Sequence, residues 1–263
     1  MDKAKKPQLK KIRQLLKERS IRDKEGLFVA EGAKIVMDAI KKGRAVVSVF
    51  ISGRVVGAPA AREITSLCEE NKLAIWRSPA AEFEQLSSLN NSQGILAIIK
   101  KPVWNDISEG KFNVLCDGVQ DPGNLGTIIR TSAAFGVSSV FLWGATADVY
   151  NPKVVRSSSG AVMDVPVTRV TAQELDGFKS RGCYLLASSS ARSGAEPMLS
   201  VDIPEGPVIL AFGSEGRGLS HDTTKRADKI FYIPIDPLAE SLNVTAAAAI
   251  AMHHFKGKRG FNG

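Results

Sequence analysis

Val208-Ile-Leu-Ala-Phe-Gly-Ser-Glu-Gly-Arg-Gly-Leu219 is the stretch whose reading decides the fold. A short apolar run that ends at glycine reads as a strand buried on both faces, the kind found in a parallel sheet. Gly213, Gly216 and Gly218 then permit positive φ and a close approach of backbone to a ligand. The loop is not a Walker loop, since no Gly-Lys-Ser/Thr follows, and it lacks the Gly-x-Gly-x-x-Gly spacing of a dinucleotide fold. Glu215 inside it would repel phosphate, but its carboxylate could accept from a ribose hydroxyl or orient an arginine. An ordinary strand-end turn is the plain alternative.

Outward from this strand, β-type runs alternate with helical ones. Asn113–Cys116, Val140–Trp143, Tyr184–Ser188 and Ile230–Ile233 read as strands. Helices are expected from about Leu125 to Phe135 and from about Asn243 to Phe255. The expected architecture is α/β, a mostly parallel sheet with helices on both faces. Residues 1–100 show a second alternation. Leu9, Ile12, Leu15 and Leu16 mark one face of a basic helix over residues 5–20, and Val46–Ile51 and Ile95–Ile99 read as strands of a small α/β domain. Lys100-Lys101-Pro102 breaks the pattern, so the boundaries are set at 1–100, a linker at 101–111, and a second domain at 112–263.

The net charge of +8 is lodged at one end. Residues 1–100 hold 19 Lys and Arg against 11 Asp and Glu, whereas the remainder holds 16 of each. A basic arm before a neutral body suggests a grip on a polyanion; a merely solvated helix is the alternative. Cys68, Cys116 and Cys183 are widely spaced and odd in number, which argues against a disulfide framework and offers no metal pair. With no apolar signal core at the start, a reducing cytoplasm is the expected compartment. His221, His253 and His254 suggest no metal site.

Two further segments join polar side chains to turns. In Asp121-Pro-Gly-Asn-Leu-Gly-Thr-Ile-Ile-Arg130, a strand leads through a turn to a helix N-terminus, a natural place for an anion. Asn124 is most simply an N-cap. Arg130 lies among small and apolar neighbours that leave room for a guanidinium meeting phosphate or ribose. In Ile233-Pro-Ile-Asp-Pro-Leu-Ala-Glu-Ser-Leu-Asn-Val244, Ser241 and Asn243 stand at the entrance of the last helix, where capping is again the simple role. Ala246 to Ala249 permit close helix packing, within the chain or between subunits.

Taken together, Asn-x-Gly-x-x-x-Arg, Gly-Ser-Glu-Gly-x-Gly-Leu and Ile-Pro…Ser-Leu-Asn-Val resemble the three motifs of the SpoU (TrmH) family of RNA ribose 2′-O-methyltransferases. Val155-Arg-Ser-Ser-Ser-Gly-Ala161, leading to Val165-Pro-Val167, is a fourth family-like stretch. The likeness covers residues 112–256. Phe28-Val-Ala-Glu-Gly32 and Gln93-Gly-Ile-Leu-Ala97 resemble, more loosely, the family's N-terminal substrate-binding domain, related to small ribosomal RNA-binding proteins.

This resemblance implies a SPOUT domain with a C-terminal trefoil knot, a homodimer, and S-adenosylmethionine held by the knot loops. Gly213, Ile233 and Leu242 are implied to line the cofactor site. Asn124, Arg130, Glu215, Ser241 and Asn243 are implied as polar catalytic residues. The implied partner is RNA, ribosomal RNA above all. A tRNA ribose methyltransferase, or a non-catalytic RNA-binding protein in ribosome assembly, are the alternatives. Many relatives have Met-x-Gly after Ile-Pro, where this chain has Ile235-Asp236-Pro237, and proline lacks glycine's freedom in φ. With the basic region separate, deleting residues 1–100 is expected to spare cofactor binding and remove RNA binding.

Overall fold

The computed structural model describes residues 1–87, 92–104, 111–190, 194–203 and 205–258. The chain divides into two compact units, Met1–Val103 with Tyr150–Met163, and Trp104–Val149 with Asp164–Gly263.

The first unit runs β1 (Asp2–Lys3), α1 (Lys6–Lys17), α2 (Arg19–Glu25), β2 (Leu27–Glu31), α3 (Ala33–Lys41), β3 (Val46–Ser52), α4 (Pro59–Glu70), β4 (Ala74–Ser78), α5 (Ala80–Glu84) and β5 (Ile95–Lys100). Its five-stranded sheet has the order β1-β4-β3-β5-β2. β3 and β4 are parallel, while β5 runs antiparallel to β2 and β3. The basic helix expected over residues 5–20 is two helices, because Glu18 is extended at their junction. Leu9, Ile12 and Leu15 of α1 pack with Val29, Phe50, Phe83, Leu96 and Ile98. That burial turns the lysines Lys6, Lys10 and Lys17 outward.

The compact units divide the chain differently from the expected boundaries of 1–100, 101–111 and 112–263. Lys101 is no free linker: its amide donates to the Gly26 carbonyl at 2.8 Å, and its ammonium meets Asp23 and the Tyr150 ring. Residues 105–110 lie outside the described residues. Tyr150–Met163, which includes α7 (Pro152–Ser157), leaves the second stretch of sequence and packs in the first unit. The Tyr150 ring lies 5.0 Å from that of Phe28, and a Cβ at Gly160 would sit 3.1 Å from Ile35. Val154, Val155 and Val162 are buried there. Apolar burial outweighs sequence continuity at this segment.

The second unit runs β6 (Phe112–Asp117), α6 (Pro122–Ala134), β7 (Ser139–Trp143), β8 (Val167–Arg169), α8 (Ala172–Ser180), β9 (Tyr184–Ser189), β10 (Glu196–Pro197), β11 (Val208–Gly213), α9 (His221–Arg226), β12 (Lys229–Tyr232) and α10 (Val244–Lys258). Its seven strands, β10-β12-β9-β11-β6-β7-β8, are all parallel. Alternate residues serve opposite faces. Leu115, Phe141, Leu185, Ile209 and Ala211 pack with Leu175 and Phe178 of α8. On the other face Phe231 meets Phe255 of α10, with ring centroids 5.1 Å apart. Helices therefore cover both faces, as the buried strands require.

Candidate active site

A cavity of about 990 Å³ opens at the carboxyl ends of β9, β11 and β12. In a parallel sheet this is the end at which ligands bind, because the strands there release loops rather than helix C-termini. Two of the sequence segments form most of its wall: Phe212–Leu219, and Tyr232–Pro237 with Ala239–Leu242.

The glycine loop is closed by its own backbone. Ser214 and Gly218 exchange both backbone hydrogen bonds, at 3.0 and 2.9 Å. Gly218 takes φ +68°, which disfavours other residues. Gly213 lies under the returning strand, so that an added Cβ would be 2.1 Å from the Gly218 carbonyl carbon. Beyond the loop, the Ser220 hydroxyl accepts from the Thr223 amide and caps α9.

Glu215 is exposed in the loop and lines the cavity. Its carboxylate accepts from the Asn124 side-chain amide at the start of α6. The expected cap role of Asn124 falls to Asp121, whose carboxylate accepts from the Asn124 backbone amide at 3.0 Å. With the backbone capped by a neighbour, the Asn124 side chain is released to hold the loop. Asn243 does take the simple role: its side-chain oxygen accepts from the Thr245 amide at 2.8 Å and hydroxyl at 2.6 Å, at the head of α10.

The structure thus brings Gly213, Glu215, Ile233, Ser241 and Leu242 onto one cavity wall, with Asn124 tied to it through Glu215. Asn243 and Arg130 do not line it. Arg130 is exposed on α6, and its guanidinium has neither ion pair nor hydrogen bond among the described residues. Ser188, Ser189 and Thr224 also line the cavity and were not singled out from sequence. The signal for the two serines is their place at the carboxyl end of a strand beside β11, legible only once the strand order is known.

Asp236 organises the turn at Ile235-Asp236-Pro237 through its own hydrogen bonds. Among the described residues the only positive φ values outside glycine are at Lys72 and Ser159, so the turn at Ile235-Asp236-Pro237 uses no left-handed residue. The Asp236 carboxylate accepts from the Leu238 amide at 2.9 Å, and the Asp236 carbonyl accepts from the Ala239 amide at 3.0 Å. This Asx turn restrains the loop around Pro237.

A group with an apolar ring and several hydroxyls suits such a wall. Ile233, Leu242 and Leu219 offer apolar surface, and Glu215, Ser241 and the loop backbone offer partners for hydroxyls. Those residues fit the adenosine part of S-adenosylmethionine.

Residues 111–253 match the SpoU rRNA Methylase family, and residues 6–97 match the MRM3-like substrate binding domain. The chain is 32% identical over 238 residues to the 23S rRNA (guanosine(2553)-2′-O)-methyltransferase RlmP of Bacillus subtilis, covering 90% of this chain and 91% of that one. Two solved structures are similar along their whole length. The AdoMet-bound rRNA methyltransferase of Sinorhizobium meliloti superposes with a TM-score of 0.83 at 26% identity, covering 100% of this chain and 99% of that one. AviRb of Streptomyces viridochromogenes, a SpoU methyltransferase in complex with AdoMet, gives a TM-score of 0.83 at 25% identity over 98% and 99%. A match that spans the parallel sheet, its glycine loop and the turn at Asp236 establishes that the chain belongs to the SpoU rRNA methylase family.

Proposed function

We propose that this protein transfers a methyl group from S-adenosylmethionine to a ribose 2′-oxygen in RNA, with large-subunit ribosomal RNA as the favoured substrate. The observation that carries the reading is the cavity at the strand ends, walled by a glycine loop whose acidic residue is fastened to Asn124. The named relatives support it, being rRNA methyltransferases or AdoMet complexes.

Gly213, Ile233 and Leu242 would hold the cofactor. When bound, S-adenosylmethionine supplies a methyl group already activated on a sulfonium. The chain's own task is to align a ribose hydroxyl and assist loss of its proton. A guanidinium with a pKa above about 12 is no free base. Arg130 instead holds the phosphate beside the target ribose and stabilises the developing alkoxide, while the proton leaves to phosphate or water. Its exposed place on α6, off the cavity wall, suits contact with the RNA backbone. Glu215, steadied by Asn124, accepts from a ribose hydroxyl, and Ser241 and Asn243 fix the third loop.

Exposed basic residues of α1 supply sequence-independent RNA affinity. We further infer a trefoil knot in which the 213–219 and 233–242 loops are the threaded segments. We also infer a homodimer through the face of α10 that leaves Ile250 41% exposed. A cytoplasmic location is supported by three buried cysteine thiols, none in a disulfide. Among the described residues no helix is long and apolar enough to cross a membrane.

Calorimetric titration with S-adenosylmethionine tests the cofactor assignment. The expected result is saturable binding at one site per chain; absence of binding by a folded protein refutes the assignment.

A further inference from the structure

Asp117 is the last residue of β6, and it is 4% exposed. A carboxylate taken so far from water is costly unless hydrogen bonds replace its hydration. Its Oδ2 accepts from the Ser220 backbone amide at 2.7 Å, a contact across 103 residues of sequence. Ser220 is the residue that ends the glycine loop and begins α9. In the sheet, Asp117 stands opposite Gly213, the residue that begins the loop.

The loop is therefore anchored at both ends against one residue of β6. Strand pairing fixes its start at Gly213, and the Asp117 carboxylate fixes its finish at Ser220. The surroundings hold Asp117 in place. The Gly118 amide donates to the Trp143 carbonyl at 3.1 Å and to the Thr146 hydroxyl at 3.1 Å. Thr146 in turn donates to the Cys116 carbonyl at 3.0 Å. At Gly144 an added Cβ would come within 3.5 Å of Asp117 Oδ1, so the next turn packs over the carboxylate.

We propose that Asp117 is a positioning residue for the cofactor cavity: its buried carboxylate clasps the Ser220 amide and sets the shape of the 213–219 loop, without itself touching the ligand. This rests on the proposed cofactor reading and deepens it. Asp117 is absent from the cavity wall, so its effect must pass through the loop.

Two measurements on the full chain separate the clasp from the reading on which it rests. Amide hydrogen exchange in the ligand-free protein reports the clasp alone. In Asp117→Ala the Ser220 and Leu219 amides should exchange at least about tenfold faster, with strands β9 and β11 still protected; Asp117→Asn, which keeps an acceptor oxygen, should restore protection. Titration with S-adenosylmethionine reports the coupling. Asp117→Ala should weaken binding at least about tenfold while RNA affinity stays within about twofold, and Asp117→Asn should recover most of that affinity.

Should Asp117→Ala fail to fold, Ser220→Pro removes the donated hydrogen with Asp117 intact. Its backbone φ of −63° already suits proline, and Ser220→Ala reports the hydroxyl alone. Ser220→Pro should lose cofactor affinity and Ser220→Ala should not. If the wild type binds S-adenosylmethionine and Asp117→Ala or Ser220→Pro binds it equally well, the positioning role is overturned. If the wild type itself fails to bind, the cofactor reading falls, and accelerated Ser220 exchange would still establish the clasp.

Discussion

Gly213 admits no side chain without displacing the loop, since the first atom added would meet the Gly218 backbone. Gly213→Ala should weaken S-adenosylmethionine binding at least about tenfold, or ~1.4 kcal/mol, in a calorimetric titration. Equal affinity would show that the loop can move aside at no cost. Arg130→Ala makes the opposite demand: methyl transfer should be abolished while cofactor affinity is unchanged, and retained turnover would refute the role given to its guanidinium. The thiols supply a third prediction. Burial pushes Cys116 up to about 12 and Cys68 up to about 11, and Cys183 is buried as well. At pH 8 Cys68 and Cys116 remain protonated in the native state, so a thiol reagent should label these two positions slowly in the folded chain and both at once on unfolding. At this scale the sequence showed which residue types stood near the loops, but not their partners. Asn124 looked like a cap because it lies near a helix start; only the fold reveals that Asp121 takes the cap and that Glu215 arrives from 91 residues away.

At the scale of elements, α6 begins with proline at its first turn and Asp121 at its cap, a pairing that satisfies one free amide and presets φ. Asp121→Ala should cost ~1 kcal/mol and lower the melting temperature by about 2–4 °C in a thermal melt. No change in melting temperature would mean that tertiary packing holds the helix start unaided. Strands such as β6, β7 and β11 were legible because a strand buried on both faces carries a mostly apolar run, here Val114–Cys116, Val140–Trp143 and Val208–Phe212. The long basic helix was less so. Its apolar spacing marked the buried face correctly, yet the chain turns extended at Glu18 with no glycine or proline there to signal the break. The strand order β12-β9-β11-β6 could not be read at all, because periodicity describes each strand's faces and says nothing of its neighbours.

For the whole molecule, the segment Tyr150–Met163 alters the expectation that residues 1–100 can be removed cleanly. Val154, Val155 and Val162 bury themselves in the first unit, and a truncated chain would present them to water. Substitution is the sounder route to the basic region. Lys6, Lys10 and Lys17 are exposed on α1, and changing them to glutamine should weaken RNA binding for all sequences alike. The salt dependence should flatten by about 0.7–0.9 for each phosphate that is no longer neutralised, with S-adenosylmethionine binding unaltered. An unchanged salt slope would mean that the charge excess of the first 100 residues has no part in holding RNA. Methyl transfer to a ribose oxygen, on which every role above depends, is decided by incubating the purified protein with methyl-labelled S-adenosylmethionine and ribosomal RNA, then identifying the labelled nucleoside by mass spectrometry after complete digestion. The expected product carries its label on a 2′-O-methylated ribose; label on a base, or none at all from a protein that binds the cofactor, would contradict the assignment.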